Sequence, residues 1–71
     1  MTKLRIYTAR STLTVRLDAD HIDIESVGRR LGRDRFIVGD LVGENGQSVE
    51  PPVRVLVPAQ RIDLIAADDS E

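Results

Sequence analysis

The chain has 71 residues, a formal net charge of −2 and no cysteine. This length leaves room for a single domain, and the absence of cysteine excludes disulfides, thiolate zinc sites and cysteine nucleophiles. The charge balance argues against a dedicated nucleic-acid binder, although a local basic patch is compatible with it. A domain of this size buries only about 60 % of the surface that its unfolded chain exposes, so its stability is expected to be marginal, and such domains are often helped by partners.

Short runs of alternating apolar and polar residues fill most of the chain from Leu4 to Ile65. A period of two predicts half-buried strands, because successive side chains point to opposite faces. The first two strands are expected to form a hairpin with a turn at residues 9–11. The alternating runs are LRIYT, LTVRL, HIDIE, RFIVGDLV, VRVLV and RIDLI, which predict five or six strands.

A charged segment with two glycines, residues 28–35, is expected to be an exposed loop between two strands. Its four guanidinium groups within seven residues could neutralise phosphates of a nucleic acid or another anion. The alternative is a solvated or interface loop whose charges pair with Asp34 and with acidic neighbouring strands. The residues concerned are Arg29, Arg30, Arg33 and Arg35.

The second half of the chain contains several residues that interrupt or bend strands. Gly39, in the middle of an apolar run, is a candidate bulge or bend. Asn45 and Gly46 predict a turn, because both tolerate a positive φ. Pro51 and Pro52 have no amide hydrogen, so we expect the following strand to begin no earlier than Val53.

Residues 55–65, VLVPAQRIDLI, combine a strand, a single turn begun by proline and a short closing strand. This segment resembles the end of SH3-like small barrels, and also the close of PRC-barrel domains. The resemblance covers eleven residues and implies only a fold, since Tyr7 and Phe36 are the only aromatic residues. We therefore expect an all-β domain over residues 1–66, either an SH3-like barrel or a strongly bent antiparallel sheet of five to six strands. Residues 67–71 are expected to form a disordered acidic tail.

Residues 12–19 and 27–33, TLTVRLDA and VGRRLGR, resemble ribbon-helix-helix DNA-binding proteins, in which a strand precedes a helix. The alternation at residues 21–25 departs from that pattern, because it predicts a strand where the family has a helix. The family also leaves no place for two late strands. The resemblance implies that the groove-reading side chains would be Thr12, Thr14 and Arg16.

The single histidine, His21, lies among carboxylates that could orient it as a general base or bind a hard cation. No nucleophile or second histidine is nearby in the sequence, and the glycine of a calcium loop is absent. We interpret these residues as a polar turn and solvated charges, and expect no catalytic residue, metal or cofactor. The carboxylates are Asp18, Asp20, Asp23 and Glu25.

The strand pattern also predicts a surplus of apolar side chains on the outward face. If Val53, Val55 and Val57 face the core, their neighbour Leu56 points outward. A contiguous outward patch would be an association surface, unless a curled barrel or the loop at residues 44–52 covers it. The expected members of this patch are Tyr7, Ile37, Leu56 and Ile65.

Together these features favour a non-enzymatic β-barrel interaction module, working as a homo-oligomer or as a subunit of a larger assembly. The alternative is a nucleic-acid-binding regulator that uses the arginines of residues 28–35. We expect a cytoplasmic location and no association with a membrane. The N-terminus does not have the pattern of a signal peptide, and no apolar run reaches membrane-spanning length.

Overall fold

The structure, a computed structural model, describes residues 3–18 and 23–68. The described strands form one antiparallel sheet in the order β4-β3-β2-β1-β5, which confirms the expected small all-β domain. The elements are β1 Lys3–Tyr7, β2 Thr12–Arg16, α1 Ile24–Asp34, β3 Phe36–Glu44, β4 Gln47–Pro58, a 3₁₀ turn Ala59–Arg61, and β5 Leu64–Asp68.

The sheet has two edges, because no strand pairing among the described residues joins β4 to β5. The last strand, β5, includes Ala67 and Asp68, which the sequence had assigned to the tail. Residues 69–71 of that predicted tail lie outside the described residues. Both β4 and β5 therefore have one side without a neighbouring strand in this part of the chain.

The predicted hairpin of β1 and β2 is confirmed, with Leu4 opposite Val15 and Ile6 opposite Leu13. Its turn needs no glycine, because a threonine side chain closes it. The Thr8 amide donates to the carbonyl of Ser11 at 2.9 Å, and the Ser11 amide donates to Thr8 Oγ1 at 3.0 Å. The inward residues of this hairpin form the centre of the core.

The predicted turn between β3 and β4 is also confirmed, with φ of 53° at Asn45 and 85° at Gly46. The Asn45 amide donates to the Thr12 carbonyl at 2.7 Å, and the Thr12 amide donates back to Asn45 Oδ1 at 2.9 Å. The expected strand start at Val53 is wrong, because β4 already begins at Gln47 and includes Pro51 and Pro52. An edge strand tolerates proline, since an amide directed away from the sheet makes no ladder bond.

The expected loop at residues 28–35 is also wrong, and so is the described part of the strand expected at residues 21–25, since Ile24 and Glu25 are helical; residues 21 and 22 lie outside the described residues. The described residues from Ile24 to Asp34 form α1, which packs Val27 into the core and Leu31 against it. The spacing of Ile24, Val27 and Leu31 places all three on one helical face. The helical segment overlaps a short alternating run and contains two glycines, and for these two reasons the sequence pattern did not predict a helix.

Side-chain and backbone caps define both ends of α1. The Ser26 amide donates to the Asp23 carboxylate at 2.8 Å, so Asp23 is the N-cap. At the other end, Arg35 has a φ of 68° and its amide donates to the Leu31 carbonyl at 2.8 Å. The chain then enters β3 directly, where a ribbon-helix-helix protein would continue into a second helix.

The core lies between the inner face of the sheet and α1. Gly39 is in β3 because a Cβ there would lie 2.6 Å from Val15 Cγ1 and 2.8 Å from the Arg16 carbonyl oxygen. The register shift of the β2–β3 pair lies instead between Thr14 and Val15, so Gly39 permits a close approach and is not itself the bulge. The buried core residues are Leu4, Ile6, Val15, Leu17, Val27, Ile37 and Val57.

Candidate interaction surface

The backbone along the outer edge of β4 has hydrogen-bonding groups directed away from the sheet. The Ala59 amide donates to the Arg35 carbonyl at 2.9 Å, just beyond the Phe36–Pro58 pair. Antiparallel ladders bond at every second residue, so the residues of β4 that bond to β3 are Val53, Val55 and Val57. The N–H and C=O groups of Arg54 and Leu56 therefore point toward the open edge.

An apolar patch lies on the outer face of the sheet beside this edge. Val38 is opposite Leu56, and Phe36 is opposite Pro58, so the four side chains are cross-strand neighbours. The Leu56 side chain is 57 % exposed and Phe36 is 39 % exposed. We call these four residues the outer patch.

A groove of about 500 Å³ runs along the inner side of the same strand. Its apolar wall includes Leu13, Leu41, Val55 and Val57, and the opposite wall comes from the β1–β2 turn and the 3₁₀ turn. The edge of β4 thus has an apolar surface on both sides. This combination of open backbone groups and flanking apolar pockets is the form that strand addition uses.

The four residues predicted from the sequence do not form one patch. Ile37 is 2 % exposed and belongs to the core, so its expected outward position is wrong. Ile65 is half-buried and packs against the core, so its outward assignment is also wrong. Tyr7 is half-buried, and only Leu56 has a mostly exposed side chain.

These two errors have the same physical cause, which is the phase of the strands. Both sides of β3 are apolar in sequence, so alternation alone does not say whether Phe36 or Ile37 faces inward. In β5, Ile65 is opposite Ile6, whose side chain is fully buried, and this pairing turns Leu64 outward. Sequence reasoning therefore missed Phe36, and it also missed the exposure of Leu64.

The arginines expected on a loop are on or next to α1. Arg29 donates to Ser26 Oγ at 3.1 Å, and Arg33 donates to the Asp34 carboxylate at 3.0 and 3.3 Å. The bond from Arg33, together with its charge, holds the pKa of Asp34 below the ordinary value. Arg30 is exposed on the same helix, and Arg35 follows its C-terminal end.

An ion-pair network crosses the outer face next to the outer patch. Arg54 contacts the Asp18 carboxylate at 2.9 and 3.0 Å and Asp40 at 3.4 Å, while Arg16 contacts Asp40 at 3.3 Å. The hydrogen bond and positive charge of Arg54 lower the pKa of Asp18, and the same contacts raise the pKa of Arg54. The guanidinium of Arg54 is thereby held over the sheet by carboxylates of its own chain.

No group of three His, Cys, Asp or Glu side chains that could hold a metal ion occurs within residues 3–18 and 23–68. The same ranges contain no helix with the length and apolarity needed to cross a membrane. His21 and Asp20 lie outside the described residues, whereas Asp18 pairs with Arg54 and Asp23 caps α1. Comparisons with protein-family models, curated proteins and solved structures found no match to this chain.

Proposed function

We propose that this protein is a non-enzymatic interaction module that works as a homo-oligomer or as a subunit of a larger assembly. Its binding surface is the β4 edge with the outer patch on one side and the groove on the other. The single observation that carries the proposal is the coincidence of open backbone groups at Arg54 and Leu56 with an exposed Leu56 side chain. An SH3-like barrel remains the finer form of the fold that we propose.

Edge strands usually carry features that prevent pairing with other chains, such as proline, bulges or charges directed at the edge. In β4 the prolines lie before Val53 and at Pro58, and the segment between them has none. Its charged residue, Arg54, is paired with Asp18 and Asp40 on the outer face. The segment from Val53 to Val57 therefore supports strand addition better than its surroundings do.

The test is the molar mass in solution, measured by size exclusion with light scattering and refractive-index detection. We expect a mass above the 7.9 kDa of one chain, and the same mass in low and high salt. Salt screens charges but does not weaken apolar and backbone contacts, so the assembly persists. A chain that remains at 7.9 kDa at every concentration contradicts the homo-oligomeric form of the proposal.

A second candidate is nucleic-acid binding, and one observation favours it. Successive helical residues are 100° apart, so Arg29, Arg30 and Arg33 share one exposed sector of α1. Such a basic stripe could contact phosphates, with an affinity that falls steeply as salt rises.

Fluorescence anisotropy with labelled single- and double-stranded oligonucleotides at several salt concentrations tests this candidate. A variant with glutamine at all four predicted contact positions should lose the binding and keep the molar mass of the wild type. Arg10→Gln combined with Arg61→Gln, in turns outside α1, is the control. Retained binding in the fourfold variant would exclude the helix as the contact. The four positions are Arg29, Arg30, Arg33 and Arg35.

A further inference from the structure

We propose that the partner at the β4 edge is a second copy of this chain, paired antiparallel about a two-fold axis at Val55. The inference rests on the proposed interaction function of this edge and adds the identity of the partner and the register. A two-fold axis at Val55 places Arg54 of one copy opposite Leu56 of the other, twice. Each of these pairs joins residues with outward backbone groups, so each exchanges two N–H···O=C bonds.

The prolines of β4 select this register. Only residues with outward backbone groups can form bonded pairs, which limits the axis to Arg54, Val55 or Leu56. With the axis at Leu56, Pro58 comes opposite Arg54; with the axis at Arg54, Pro52 comes opposite Leu56. Proline has no N–H, and its ring occupies the space of the bond. The axis at Val55 alone pairs Arg54 with Leu56 in both copies. It places Pro52 opposite Pro58 of the second copy at each end of the paired segment, so neither proline lies opposite a residue that has an outward N–H.

The side chains at this register agree with the backbone. Arg54 is opposite Leu56 of the second copy, so no like charges face each other across the axis. The two Val55 side chains meet on the inner side, where Val55 already lines the groove. On the outer side, Leu56 is the member of each outer patch that lies at the interface, opposite Arg54 of the other copy.

The other edge of the sheet differs in its surroundings. Leu64 in β5 is 56 % exposed, nearly the same as Leu56. However, α1 flanks β5, and Leu31 of the helix lines a groove together with Leu64 and Ile65. A strand added at β5 would meet this helix, whereas α1 packs against β3 and β5 and makes no comparable contact with β4.

A single cysteine at the axis tests the register directly, because the chain has no cysteine of its own. In the proposed dimer the two Val55 residues form a non-hydrogen-bonded pair with Cα atoms about 4.5 Å apart, within reach of a disulfide. Val55→Cys should therefore form a disulfide-linked dimer under mild oxidation.

The matched control is Val53→Cys, in the same strand and on the same face. Val53 is 50 % exposed and Val55 is less exposed than Val53, so exposure alone would favour a cross-link at position 53. The register instead separates the two copies of residue 53 by four residues along the strand, about 14 Å. Equal or faster linkage of Val53→Cys would overturn the proposal.

A second pair of variants tests the edge without a cross-link. Leu56→Lys places a lysine opposite Arg54 of the second copy, twice, and should weaken dimerisation at least tenfold. Leu64→Lys makes the same change at an equally exposed leucine on the other edge and should leave dimerisation unchanged. Circular dichroism checks that both variants remain folded.

The outcomes separate this inference from the proposed function. An assembled wild type that is insensitive to Leu56→Lys, or sensitive to Leu64→Lys instead, overturns pairing through β4 and leaves self-association standing. A mass of three or more copies overturns the two-fold arrangement in the same way. A wild type that stays monomeric in the light-scattering measurement overturns both the dimer and the homo-oligomeric form of the proposed function.

Discussion

The part of the sheet under α1 and the edge of β4 contain similar aliphatic residues in opposite environments. Where α1 packs on the sheet, Val27 of the helix and Ile37 of β3 are each 2 % exposed, whereas Leu56 of β4 is 57 % exposed. The difference is one of coverage, because Ile37 points to the inner face, where α1 packs, whereas Leu56 points to the opposite face beside the open β4 edge. Apolar character alone therefore does not tell a core position from an exposed position in a chain this short.

The largest expected effect comes from truncating one residue in each region. Ile37→Ala removes a fully packed side chain and should lower the free energy of unfolding by about 2–5 kcal/mol. Leu56→Ala removes an exposed side chain and should change it by about 0.5 kcal/mol or less in the monomer. Urea titrations at low protein concentration measure both values. Similar losses for the two variants would contradict the assignment of Leu56 to an uncovered edge.

Glycine substitutions sharpen the comparison at the backbone. Gly39→Ala forces a methyl group against Val15 and the Arg16 carbonyl and should cost about 1–3 kcal/mol. Gly28 is an exposed residue in the middle of α1, and no atom lies within 4 Å of the added carbon. Gly28→Ala should therefore raise the free energy of unfolding by about 0.5–1 kcal/mol. Thermal denaturation of both variants shows the opposite signs. Destabilisation by Gly28→Ala would mean that α1 packs more tightly than the structure shows.

The smallest expected effect concerns acid stability of the β4 edge. The pKa of Asp18 in the folded protein lies below its ordinary value of 3.8, because of its bond to Arg54 and the charge of Arg54. A lowered folded-state pKa adds stability that is complete above the unfolded value and is lost as the pH falls through the folded value. In Arg54→Gln the free energy of unfolding should therefore fall less steeply as the pH is lowered below about 4.

The free energy of unfolding, measured by urea titration at a series of pH values, provides this test. The N-cap Asp23, whose pKa is lowered mainly by its bond to Ser26, should keep its own contribution in the variant. Arg61→Gln, on the 3₁₀ turn, is the matched control for loss of one positive charge. An unchanged acid slope in Arg54→Gln would mean that the ion pair with Asp18 does not persist in solution.

Local patterns in the sequence were sufficient for several elements. The β1–β2 hairpin, the turn at Asn45 and Gly46 and the 3₁₀ turn after Pro58 were all predictable. In each case the pattern acts within a few residues, through alternation, a positive φ or the fixed φ of proline. The exposure of Leu56 followed from the same alternation.

The tertiary structure decided the rest. α1 forms where Ile24, Val27 and Leu31 cover the core, although a shorter alternating run suggested a strand. The inward position of Ile37 and Ile65 depends on the strands opposite them, since alternation defines two faces without saying which one is buried. The open edge of β4 depends on sheet order, a long-range property that no short segment contains.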